Sequence, residues 1–139
     1  MIYRSTFALV LLLVLAGACA ADEPKAFACS FTEGTTHAYE KGEFAVEQTA
    51  PLAFVIGAID ADAQTADMKN ERGTGTLRIV RAVNAMHFLE VVTEGFLHIT
   101  TVYDKDETRG AHPAVHSRHF GLFGQPIVTQ YQGFCEALG

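Results

Sequence analysis

Tryptophan is absent from the 139-residue chain, proline occurs four times, cysteine three times, and ten basic residues face sixteen acidic ones. So few cysteines exclude a disulfide-dense scaffold and a cysteine-rich zinc module. A formal net charge of −6 argues against nucleic acid and anionic lipid as partners. G-x-S-x-G, H-E-x-x-H, phosphate-loop and dinucleotide patterns are all missing. The sequence therefore predicts an address and a fold class but no reaction.

The address lies in the one long apolar run. Arg4, the stretch Phe7 to Leu15 and the small-residue ending Ala18-Cys19-Ala20 read as a secretory signal cleaved after Ala20. The run is shorter than the roughly 20 apolar residues a membrane span needs. A lipoprotein signal with an acylated Cys19 is the rival reading, but the large aliphatic residue usual three places before the cysteine is replaced by Ala16. We read residues 1–20 as the signal and 21–139 as a single β domain, periplasmic or secreted, monomeric and without a cofactor. Its remaining cysteines, Cys29 and Cys135, are expected to pair in an oxidising compartment. Neither sits in a C-x-x-C arrangement that would suggest redox or metal chemistry.

Period-two runs dominate, and no sustained helical stripe is present. The candidate strands are Phe27 to Phe31, His37 to Val46, Leu52 to Ile59, Thr74 to Val83, Met86 to Thr93, Phe96 to Tyr103, Ala114 to Leu122 and Ile127 to Phe134. Asp60 to Gly75 and Asp104 to His112 read as polar surface loops. The clearest hairpin turns at Glu94-Gly95, where glycine supplies a positive φ. A two-residue loop places Glu90 opposite Ile99, on one face with Met86, Phe88, Val92, Leu97, Thr101 and Tyr103. A bulge at Gly95 places it opposite His98 instead. Phe27, Cys29 and Phe31 share a face of the first strand, and Ile127, Thr129, Tyr131 and Cys135 share one of the last. Bonding the cysteines sets those strands side by side and predicts an all-β fold, a small antiparallel β-barrel; a barrel-like sandwich with the same bond is the alternative.

Three clusters invite chemistry. His112, His116 and His119 are weak metal candidates, because on a strand His116 and His119 point oppositely and further ligands such as His87, His98 or Glu90 would have to converge on them. Asp60, Asp62, Gln64 and Glu71 fall at calcium-loop positions, but Thr65 stands where the sharp turn needs glycine, and the segment reads as an acidic solvated loop. Glu90, in the apolar run Phe88 to Val92, must be paired if buried, and Arg118 or a histidine is the natural partner. Glu90, His116 and Arg118, joined by Ser117, Thr101, Tyr103 or Tyr131, would form a polar network or the floor of a ligand pocket. No catalytic residue is assigned: Ser117 beside His116 and His119 makes no triad, and Glu90 with His116 is the one acid/base pair worth testing.

At His87-Phe88-Leu89-Glu90, Thr100-Thr101-Val102-Tyr103, Ala114-Val115-His116-Ser117-Arg118-His119 and Gln130-Tyr131-Gln132-Gly133-Phe134-Cys135-Glu136 the chain resembles a group of small exported bacterial proteins. That resemblance covers mainly the second half plus the early cysteine and names no substrate. By size, compartment and β architecture the chain is also similar to small periplasmic lysozyme inhibitors, which are disulfide-bearing antiparallel barrels, though no counterpart of their inhibitory loop is visible. Fold likeness alone licenses no function. The expectation is an exported binding protein whose partner is a small molecule, or alternatively an envelope protein, with metal binding by the histidine-rich segment as a third reading.

Overall fold

A computed structural model describes residues 23–93, 96–121 and 124–139 of the chain. The segment read as a secretory signal and the Glu94-Gly95 turn fall outside these residues. Nine strands follow one another: β1 (Ala26–Glu40), β2 (Glu43–Gln48), β3 (Leu52–Asp60), β4 (Thr65–Asn70), β5 (Gly73–Arg81), β6 (Ala85–Thr93), β7 (Phe96–Tyr103), β8 (His112–Phe120) and β9 (Ile127–Leu138). Every strand but β2 takes part in an eight-stranded antiparallel barrel, closed by pairing of β1 with β9. β2 lies along the second half of β1, beyond the stretch that pairs with β3. Among the described residues no helix is long and apolar enough to cross a membrane.

An eight-stranded barrel is just wide enough for side chains to fill. Here Phe27, Phe31, Phe54, Ile56, Leu77 and Phe88 fill it, each at most 5% exposed. They come from strands whose alternate residues are apolar, so one face of each turns inward. Cys29 and Cys135 are register partners on β1 and β9 and form the expected disulfide, with Cα atoms 4.0 Å apart.

Two stretches depart from the sequence expectation. His37 to Val46 is not one strand. Lys41 and Gly42, with φ of 51° and 90°, turn the chain back between β1 and β2, and two consecutive positive φ values suit a tight hairpin. Asp60 to Gly75 is not one loop either, because it contains all of β4. That strand buries only Ala66 and Met68, both poor markers of β structure, and turns Asp67 and Lys69 to the other face. The six residues of β4 also separate Gln64 from Glu71 by roughly 20 Å at strand rise, which removes the calcium-loop geometry. Asp60 instead accepts the backbone N–H groups of Asp62 and Ala63 in the β3–β4 turn.

The β1–β9 seam shifts register between Ser30 and Glu33. Gly133 faces this irregularity, and a Cβ there would run into the Ser30 carbonyl oxygen and the Phe31 backbone. Neither neighbour is the end of a flexible side chain. Gly133→Ala is expected to cost about 1 to 3 kcal/mol by overpacking, read as a lower urea midpoint, while Gly57→Ala, which meets nothing within 4 Å, serves as the control.

Candidate functional site

The register of β6 against β7 decides which side chains meet inside the barrel. Glu90 pairs with His98, as a bulge at Gly95 would have placed it, but the irregularity lies within β6, between Val91 and Thr93, and Thr93 stands opposite Phe96. His98 is in turn opposite Arg118, Thr100 opposite His116, His116 opposite Tyr131, and Arg118 opposite Thr129. Glu90, His98, Thr100, His116, Arg118, Thr129 and Tyr131 therefore share the inner face at one end of the barrel. Thr101, Tyr103 and Ser117, expected in the network, stand one residue out of phase and face outward. Thr101 bonds His87 there, 2.9 Å from Nδ1 to Oγ1.

Glu90 and Arg118 are not each other's partners. The His98 Nδ1–H donates to Glu90 Oε2 at 3.0 Å, the carboxylate being able only to accept. The Glu90 carboxylate is seated against Gly75 of β5, where a Cβ would collide with Oε1. Arg118 donates from Nε to His116 Nε2 at 3.3 Å, and its guanidinium carbon lies 5.6 Å from the centre of the Tyr131 ring. Accepting at Nε2 puts the His116 proton on Nδ1, which donates to Thr100 Oγ1 at 2.8 Å. His116 is 1% exposed. Burial first, then the Arg118 and His98 charges, lower its pKa from 6.5 to about 3, so it is neutral at physiological pH.

The histidine-rich segment disperses. His119 is exposed on the outer face, His112 donates from Nδ1 to the Tyr103 carbonyl at 2.8 Å, and His116 lies in the core. Among the described residues no three His, Cys, Asp or Glu side chains converge as a metal ion would require. Glu90 is bonded to His98 rather than to His116, which separates the one acid/base pair the sequence offered.

A cavity of about 520 Å³ opens beside this cluster, lined by Phe31, Leu52, Arg118 and Tyr131 and by the exposed Asn70, Glu71 and Arg72. Among the described residues Arg118 has no carboxylate within 4 Å. A larger depression of about 1290 Å³ lies on the outer wall over Ala28, Val55, Pro113 and Phe134, with Arg109 stacked 3.6 Å above the Phe134 ring. Of the inner cluster, Arg118 and Tyr131 line the smaller cavity, and no member of it lines the outer depression. His98, Thr100 and Thr129 enter the cluster only through the register, and the available sequence signal was the two-residue spacing of Thr100 from His98 on β7 and of Thr129 from Tyr131 on β9. Neither a protein-family model nor a curated protein matches the chain.

Proposed function

We propose that this is an exported binding protein, periplasmic or secreted, that holds a small organic anion in the inner cavity against Arg118 and Tyr131. One observation carries the reading: a half-buried guanidinium, without a carboxylate partner among the described residues, faces a cavity whose volume lies within the roughly 300 to 1,000 Å³ usual for small-ligand sites. Arg118 is held by His116 and Tyr131, which leaves its terminal nitrogens free to grip a carboxylate or phosphate in two-point fashion. Arg72 adds a second guanidinium at the cavity wall, against the one carboxylate of Glu71. Tyr131 and Phe31 supply flat apolar surface for the rest of the ligand. The disulfide suits an oxidising compartment. Glu90 and His98 form the supporting layer behind the cationic one.

Native mass spectrometry on protein recovered from the periplasm after expression with its own N-terminus tests the reading. The expected spectrum shows cleavage after Ala20, a mass two hydrogens short, and a retained small molecule that Arg118→Met loses. Because Arg118 donates to His116 rather than neutralising Glu90, Arg118→Met is expected to lower stability by only about 1 kcal/mol, the usual worth of one hydrogen bond. Retention of the same mass by the variant, or a bare wild-type chain that binds none of a panel of small carboxylates and phosphates, would sink the proposal.

A further inference from the structure

The β1–β2 hairpin carries a second surface, remote in function from the cavity. Among the described residues β2 pairs on one side only, with β1, and all six of its residues are exposed. Glu40 and Glu43 flank a two-residue turn and are therefore a hydrogen-bonded pair, so Glu43, Ala45 and Glu47 direct their backbone groups toward β1. The Thr49 N–H donating to the Gly34 carbonyl at 3.0 Å and the Tyr39 N–H donating away from β2, to the Pro126 carbonyl, keep the same phase. It follows that Phe44, Val46 and Gln48 aim their N–H and C=O groups outward along an open edge.

The two faces of that edge differ in chemistry. Phe44 and Val46 are 57% and 58% exposed and sit beside Tyr39, whose ring centre is 5.0 Å from that of Phe44. The opposite face carries Glu40, Glu43 and Glu47, with no basic side chain on β2 itself. Natural edge strands are commonly blunted by lysine, proline or a bulge, and β2 has none of the three. Its glutamates do oppose one partner, a second copy of itself, because antiparallel self-pairing would bring like charges together.

We propose that the open edge of β2 accepts an extended peptide segment of another protein in which apolar residues alternate with lysine or arginine. The peptide adds a strand: its backbone completes the hydrogen bonds of Phe44, Val46 and Gln48, its apolar residues cover Phe44 and Val46, and its basic residues meet Glu43 and Glu47. The site is independent of Arg118 and the cavity.

The test uses fluorescence anisotropy with a labelled Val-Lys-Val-Lys-Val-Lys-Val peptide, its glutamate counterpart, and the mature oxidised protein. The lysine peptide is expected to bind at least about tenfold more tightly than the glutamate one. Val46→Pro removes an outward N–H, which an edge strand tolerates, and is expected to abolish binding while leaving the melting curve in place. Glu43→Lys combined with Glu47→Lys keeps the edge and is expected to reverse the preference, so the proposal stays open to refutation even if the proline variant unfolds. Equal binding of the two peptides, no binding of either, or unchanged binding by a folded Val46→Pro variant would overturn it. So would a wild-type dimer that Val46→Pro dissolves, since the occupant would then be a second copy.

Discussion

Replacing Cys29 and Cys135 together with alanine is expected to lower the unfolding free energy by about 2 to 5 kcal/mol. The bond ties residues 106 positions apart, so it removes from the unfolded chain nearly all arrangements in which its two ends are distant. The folded barrel retains its β1–β9 ladder without the bond, since register pairs run on both sides of the cysteines. The loss should therefore appear as a lower urea midpoint and a steeper denaturant dependence, because the unbridged unfolded chain exposes more surface. Comparing oxidised wild type, reduced wild type and the double variant checks this. A difference below about 1 kcal/mol would mean that the closed seam already persists in the denatured ensemble.

The second large effect is acid destabilisation through His116. Its folded pKa of about 3 lies below the unfolded value of 6.5, so the unfolded chain takes up a proton first. The stability gained by keeping the ring neutral is fully present above pH 6.5 and is lost as pH falls from there toward 3. At 1.36 kcal/mol per pH unit the loss is about 2 to 3 kcal/mol by pH 4.5 and on the order of 4 kcal/mol near the folded pKa. Such a loss is a large share of a small domain's total stability. His98 and Arg118 face the ring, and both make a further positive charge there costly. In His116→Asn the amide retains a donor for Thr100 and an acceptor for Arg118 but does not titrate. That variant should be less stable at pH 7.5 and lack this part of the slope between pH 6.5 and 4.5, measured by urea unfolding of the oxidised protein. An unchanged slope would show that the wild-type ring charges inside the barrel.

Local pattern made the barrel and its bond legible. Alternation is a property of a few neighbouring residues, so strands with large inward side chains, such as Phe27, Cys29 and Phe31 or Phe54 and Ile56, announce themselves. With Cys19 read as part of a signal, the two remaining cysteines have one partner each. β4 stayed hidden because its inward residues, Ala66 and Met68, are weak strand formers, and the β1–β2 turn stayed hidden because Lys41-Gly42 interrupts an otherwise continuous run.

The inner polar cluster obeyed a different rule. Glu90 was visible in the sequence as a charge that needed a partner, and His116, Arg118 and Tyr131 as residues able to surround it. Which of them it would meet depended on one residue of bulge in the β6–β7 hairpin, since a shift of one position exchanges the two faces of a strand. That shift brought in His98 and Thr100 and turned Thr101 and Tyr103 outward. Sequence by itself determined the strands with large inward side chains, the closing bond and the set of polar residues available to the interior. Only the tertiary structure decided their partners, because register is set by long-range pairing around the whole barrel, which no local pattern records.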